Sequence, residues 1–426
     1  MSPRDSAGQA GARPGWVQAL AVTLAGVLAM GVVAALGLWA AGATGIPDGA
    51  YPKVVAATVV AAVGGGVELS GSAGSLAGAE GGLTVIPLSV TLVGALVFAA
   101  GFLRPLRHRA VTGTGELAGW AARIGGLWLL ALTGLALAAR HTFRLSLGEG
   151  LISDLGELFG IEPEVGFTTE VPPTVVFGVL WLAGVLVVAL LVARGVPLPG
   201  RLSRFREAAG PAAYAMVALL LACAVLGVVI GVVVAVTRGH PVETLAVVLL
   251  GLPNLAWPAL TVGLGATWDG RVEGPFALPM PNVLDRVMRS GEMSAVDLGT
   301  LAEQDGRVWW LLPIAAALLS AAACLMAVRS PAGVPLWRHA VHMAVALLLT
   351  VLVICLLGRV SAAFGLSVLG IGDLGGDLSQ HLFLRPRWWS ALGLAVLWGL
   401  VTGFLGGLIA RRLPRPDSSH RARDAR

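Results

Sequence analysis

VETLAVVLLGLPNLAWPALTVGLGATWD, residues Val242–Asp269, is apolar enough for a bilayer interior, yet it carries Pro253 and Pro258 and closes on the glycine-rich run Thr261–Gly265. Proline removes an amide donor and clashes with the preceding turn, so the pattern predicts two half-helices rather than one uninterrupted span. Whether this stretch crosses the membrane or enters and returns fixes the side on which everything after it lies.

The rest of the chain makes the lipid setting plain. Of 426 residues, 56% are hydrophobic and 12% charged, and the mean hydropathy is +0.83. Soluble domains carry about 25% charged residues, so the expected fold is an all-α polytopic membrane bundle. A net charge of +5 is too small and too dispersed for a nucleic-acid partner. Lys53 is the only lysine, and the Ala/Gly/Val/Leu/Arg bias resembles GC-rich bacterial coding, which implies a bacterial plasma membrane. Cys223, Cys324 and Cys355 all fall inside apolar runs, so neither a disulfide framework nor a thiolate metal site is expected. The first run, Trp16–Ala43, is too long for a signal-peptide core and reads as a retained span.

About 20 apolar residues cross a bilayer. That length predicts eight spans, at 16–43, 83–103, 117–139, 174–193, 212–237, 308–328, 339–358 and 388–410. Two pieces remain, the run at 242–265 and the shorter Val54–Gly66, which leads into a Ser/Gly-rich stretch ending at Gly82. Both are read as re-entrant or broken segments, with a nine-span arrangement as the alternative if 242–265 crosses.

Loop charge favours the re-entrant arrangement. With both termini cytoplasmic, the inner segments 1–15, 104–116, 194–211, 329–338 and 411–426, together with Arg123, hold 18 arginines and 5 acids. The outer segments hold 11 basic and 19 acidic residues. Arginine-dense short inner loops are what orientation requires. A crossing 242–265 would instead place the tail Arg411–Arg426 outside.

The order of elements suggests an internal duplication, with membrane repeats at 16–199 and 200–410 between a cytoplasmic N-terminus, 1–15, and a basic tail, 411–426. Val179-Leu180-Trp181 matches Val396-Leu397-Trp398. At the same spacing Ala193-Arg194 matches Ala410-Arg411, and Pro197 and Pro199 match Pro414 and Pro416. The ends of the two broken pieces align as Ala62–Gly66 against Thr261–Gly265. Four spans per half would give the two repeats the same orientation about an axis along the membrane normal.

Motifs that carry chemistry are sparse. Thr261–Gly265 superficially matches a potassium-channel filter, but Leu264 occupies the aromatic position and Pro258 lies just upstream. The glycines are read instead as points of close backbone approach. Asn254, in a proline-broken apolar segment, can satisfy freed backbone groups or bind a polar solute. Spans nearly free of ionisable residues argue against a proton-driven pump. The seven histidines form no metal-spaced cluster, and no nucleotide loop or nucleophile elbow is present. The expectation is a non-enzyme with no catalytic residues, no metal and no cofactor. Asp373 and Asp377 could bind a cation on the outer face, and are read in preference as part of a glycine-rich polar turn. The acidic loop 141–173 and the stretch Asn282–Gln304, with Val283, Val287 and Met288 at helical spacing, are expected to pack on the outer mouth.

Length, hydrophobicity, arginine-rich ends and the LGLPN…GLGA segment (Leu250–Ala266) resemble the streptophobe family, hydrophobic multispan membrane proteins of Streptomyces. The resemblance implies a host and a cell membrane and brings no site residues. Broken backbone at membrane depth predicts a pore or permease for a small solute, contacted by Pro253, Asn254, Thr261, Gly263, Gly265, Gly64, Gly65 and Gly66. The alternative is a non-transporting scaffold whose outer loops bind an envelope partner. The lipid bilayer is a partner in either case.

Overall fold

Hydrocarbon offers backbone groups no hydrogen-bond partner, so the apolar runs fold as helices. The computed structural model describes residues 15–45, 49–73, 77–107, 114–139, 141–144, 163–169, 171–193, 200–272, 282–289, 293–331, 333–368 and 380–412. In chain order the helices are α1 (Trp16–Ala40), α2 (Tyr51–Ala61), α3 (Leu88–Arg107), α4 (Thr114–Ala138), α5 (Val171–Val192) and α6 (Gly200–Arg238). They continue with α7 (Pro241–Gly263), α8 (Asn282–Met288), α9 (Leu298–Gln304), α10 (Leu311–Arg329), α11 (Leu336–Leu357) and α12 (Trp388–Arg412). Among the described residues, nine of these are long and apolar enough to cross a membrane; α2, α8 and α9 are not. The protein is a polytopic all-helical bundle with a minor sheet.

α1 and α5 each bury one narrow stripe and leave most of the rest of their surface exposed. On α5 the stripe is Thr174, Gly178, Leu182, Leu186 and Ala189; on α1 it is Ala19, Thr23, Gly26, Met30, Ala34 and Gly37. Lipid tails are as apolar as leucine, so helices associate through close packing of small residues rather than by escaping water. The tightest case is α12 against α11. A side chain at Gly403 would begin 2.7 Å from the His339 carbonyl oxygen, and one at Gly399 would collide with Ala344 Cα.

The loops on one side of the bundle form a feature the sequence reading did not anticipate. Among the described residues eight antiparallel strands, β1 (Val67–Ala73), β2 (Ala77–Thr84), β3 (His141–Arg144), β4 (Pro163–Thr169), β5 (Trp268–Val272), β6 (Ser294–Val296), β7 (Val360–Val368) and β8 (Gln380–Pro386), share one sheet. Their order is β3-β4-β1-β2-β7-β8-β5-β6. The first four strands come from residues before 170 and the last four from residues after 267, and each set follows the same internal order. β2 and β7 join the sets, with Ala77 opposite Val368 and Thr84 opposite Ser361.

The helices follow suit. In the first half α1 packs on α2, α3 and α4, α2 on α4, and α5 on α3 and α4. In the second, α6 packs on α7, α10 and α11, α7 on α11, and α12 on α10 and α11. The stretch Asn282–Met288 is helical, with Val287 and Met288 buried in the core that also holds Trp268 and Leu382.

Candidate functional site

The expectation of two half-helices at 242–265 is corrected: α7 runs unbroken from Pro241 to Gly263, through Pro253 and Pro258. A neighbouring helix makes this possible. The Ser89 hydroxyl donates to the Val248 carbonyl at 2.8 Å and accepts the Leu252 amide at 3.2 Å. It thus bridges two groups that an undisturbed α-helix would pair directly, one residue before Pro253. A side chain inserted in the ladder beside a proline lets the helix continue through it.

Asn254 completes the joint. Its side-chain oxygen accepts the Leu88 amide at 3.1 Å and its amide group donates to the Ile86 carbonyl at 2.8 Å. The expectation that Asn254 satisfies backbone groups freed by the prolines of its own segment is corrected. Asn254 serves instead the first turn of α3, whose leading amides have no intrahelical partner. Asn254→Leu is expected to strand both groups and cost about 1–3 kcal/mol, seen as a lower melting temperature, with Ser89→Ala milder.

Thr261–Gly265 forms a helix end. Gly265 has φ +97°; its amide bonds the Val262 carbonyl at 2.9 Å and the Ala266 amide bonds the Thr261 carbonyl at 2.9 Å. This pair of bonds, closed by a left-handed glycine, is the Schellman termination. α2 ends identically: Gly64 has φ +93°, with Gly64 amide to Ala61 carbonyl at 3.0 Å and Gly65 amide to Val60 carbonyl at 3.1 Å. Matched by these caps, Gly64 stands opposite Gly265, two residues away from the alignment of Ala62–Gly66 with Thr261–Gly265.

The remaining polar and small candidates are occupied locally. Thr261 is buried; its hydroxyl donates to the Pro258 carbonyl at 2.7 Å and accepts Trp268 Nε1 at 3.0 Å. Pro253 is buried in α7. A side chain at Gly263 would begin 2.7 Å from the Leu311 carbonyl oxygen, at the start of α10. Gly65 lies against Thr174 and Val60, Gly64 against Phe177, and Gly66 is open. The candidates thus scatter: Asn254 at the α3–α7 joint, Gly263 at the α7–α10 contact, Gly64 and Gly65 at the α2–α5 contact, Thr261 against Trp268 of β5, Gly265 beside Leu394 of α12, and Gly66 in open space. Their hydrogen-bonding capacity is directed at the protein's own backbone and indole groups.

Two further features lie on the sheet side. Arg387 grips Asp269, with Nε 2.9 and 3.0 Å and one terminal nitrogen 2.8 Å from the carboxylate oxygens. The hydrogen-bonded carboxylate raises the already high pKa of this guanidinium. The pair is solvent-exposed, so its value lies in orienting the β8–α12 corner on β5 rather than in stability. Arg359 stacks on Trp388, 4.5 Å from the ring centroid.

Among the described residues no group of three or more His, Cys, Asp or Glu is placed to hold a metal ion. Asp373, Asp377 and most of the acidic loop 141–173 lie outside the described residues. Ser89 escaped the sequence reading because its role depends on a partner more than 150 positions away. No protein-family model, curated protein or solved structure matches this chain.

Proposed function

We propose that the chain is a non-transporting scaffold of the bacterial plasma membrane, whose sheet side binds an envelope partner. One observation carries this reading: the polar groups suggested for a solute path are spent within the protein, while loops from both halves gather into a single sheet. A site for solute needs convergent, available polar groups; the joint at Asn254 is built like a structural lock.

We also propose that α7 starts and ends on the sheet side, as a re-entrant element. At 1.5 Å per residue the 39-residue α6 is about 58 Å long, enough to cross. Tyr214, early in α6, stacks with Arg329 at the end of α10 away from the sheet. The far end of α6 should then lie on the sheet side, where α7 begins. From Leu250 to Gly263, α7 touches the sheet-side ends of its neighbours: Gly37 on α1, Leu88 and Ser89 on α3, Leu311 on α10 and Gly358 after α11. The repeated order of helices and strands supports duplication within 16–410, and loop arginines support cytoplasmic termini and an outward sheet. Leu250–Ala266 supports kinship with the streptophobes.

Single cysteines at Asp285 and Glu207 test the topology in intact cells. An impermeant thiol reagent should label the first from outside and the second only after permeabilisation. Labelling of both from one face removes the re-entrant reading. Function is tested by photo-crosslinkers at sheet-side and opposite-side positions. A partner captured from the sheet side alone supports the scaffold. Solute flux in proteoliposomes that Asn254→Leu abolishes would return the assignment to a pore.

A further inference from the structure

The two ends of the sheet are built differently. At one, β6 is three residues long, α8 and α9 pack against it, and the Thr300 hydroxyl donates to its Ala295 carbonyl at 2.8 Å. That edge is covered by its own chain. At the other, β3 pairs with β4, and among the described residues no strand lies on its far side. A bare strand edge offers unpaired amides and carbonyls to another strand. β7 opens the second strand set as β3 opens the first, and the corresponding edge of β7 takes β2 along all of Ala77–Thr84. The edge on β3 is therefore of the kind that this fold fills.

α4 ends at Ala138 and β3 begins at His141, so this helix stands beneath the open edge. It packs on α1, α2 and α5, and its buried line is Trp120, Ile124, Trp128, Leu132 and Ala136. The opposite face carries, at every fourth position, Ala118, Ala122, Gly126, Leu130, Gly134 and Ala138, all exposed. A Cβ added at Gly126 or Gly134 would meet nothing within 4 Å. Contact with lipid does not call for such small residues, as α11 shows. Its buried His339, Met343, Leu347, Val351 and Cys355 match the buried line of α4 position for position. At the positions matching the exposed line, α11 carries Trp337, Val341, Val345, Leu349 and Val353. One face is thus bulky and the other is hollowed. Small residues four apart let helix backbones approach closely, which drives association where lipid is as apolar as leucine. From Ala118 to Ala138 the hollowed line runs about 30 Å, the thickness of the hydrocarbon core.

A single occupant answers both features. β5 buries alternate residues, Trp268, Gly270 and Val272, and Trp268 and Val272 join the helical core. The sheet therefore lies across the end of the bundle, and a two-fold axis perpendicular to it runs along the membrane normal. Placed at the β3 edge, that axis sets β3 antiparallel to its own copy and α4 against its own copy. Both molecules keep the same orientation in the bilayer. We propose that the chain forms a two-fold homodimer in which β3 pairs with β3 of a second copy, joining two eight-stranded sheets, while the small-residue faces of α4 pack together beneath. An isologous contact of this kind closes on itself. The inference does not rest on the scaffold reading.

Disulfide trapping in native membranes tests it, in the full-length chain with Cys223, Cys324 and Cys355 replaced by alanine. A disulfide needs Cα atoms within ~7 Å of each other. Gly126→Cys, and at least one of Thr142→Cys and Phe143→Cys, should give a covalent dimer. Val345→Cys, at the matching position of α11, should stay monomeric. With the native cysteines in place, Gly126→Ile/Gly134→Ile should weaken dimerisation in vesicles by about tenfold or more. Its helical circular dichroism should be unchanged, because both sites are open within one molecule; this separates a lost interface from a lost fold. Trapping at Val345→Cys equal to that at Gly126→Cys overturns the proposal, as does dimerisation that the isoleucines leave untouched. Trapping through α4 with none through β3 overturns the shared sheet. Capture of a different protein at Gly126→Cys overturns the homodimer in favour of a foreign transmembrane helix.

Discussion

Leucine at both Gly399 and Gly403 is expected to prevent stable packing of α12 on α11. At Gly403 the new Cβ would meet the His339 carbonyl oxygen at 2.7 Å and Ala340 Cα at 2.9 Å; at Gly399 it would meet Ala344 Cα and the Ala344 nitrogen. These are backbone atoms and cannot rotate aside, so the helices must separate. Overpacking costs about 1–3 kcal/mol per site, and more where nothing can yield. Two such sites on one contact approach the ~5–15 kcal/mol by which native folds are stable. Gly393→Leu, on the same helix with nothing within 4 Å, is the control. Monodisperse elution and near-native melting of the double variant would refute the close-packed interface.

Trp128→Ala should be the most damaging single truncation in the first half. Trp128 is fully buried and its Nε1 donates to the Gly178 carbonyl at 3.0 Å. Its ring meets Phe98 edge-on at 5.1 Å between centroids and Trp181 at 5.4 Å. Phe98 also meets Trp181 at 5.8 Å, so α3, α4 and α5 converge on this one cluster. Truncating a buried tryptophan leaves a cavity that helix backbones cannot fill, at a cost of about 3–5 kcal/mol. Trp128→Phe keeps most of the volume and loses the indole hydrogen bond, for about 1 kcal/mol. Trp389→Ala, at a site 92% exposed, should scarcely move the melting temperature. Comparable losses at Trp128 and Trp389 would sink the argument.

The helices were legible because lipid leaves a long apolar run no alternative to helix. The sheet was not, because its strands lack the alternation that marks one. VELSGSA and AGAEGGLT, Val67–Ala73 and Ala77–Thr84, are small and polar, with glycines that ordinarily weaken strands. Their pairing is decided by segments far along the chain, such as β7. The prolines of α7 misled for a related reason. Their local effect is real, but Ser89, in another helix, occupies the opened ladder. Thr261–Gly265 read as irregular backbone and is a helix cap, a use of glycine that looks alike in sequence. The Gly399-xxx-Gly403 spacing was available as a close-packing signal and was obscured by a chain with 58 glycines.

The junction between the two strand sets bears on how the protein is made. β1, β2, β3 and β4 are all complete once residue 169 has been synthesised, yet β2 has β7 as its second neighbour, and β7 begins at Val360. At ribosomal rates of ~5–20 residues per second, the edge of β2 waits on the order of ten seconds or more before its partner emerges. An unpaired strand edge is a template for pairing with the wrong chain. Here that interval is spent with a strand rich in glycine and carrying Glu80, a poor template for ordered association. Weak strand character, which hid the sheet from the sequence, would also keep a half-made molecule from sticking to its neighbours.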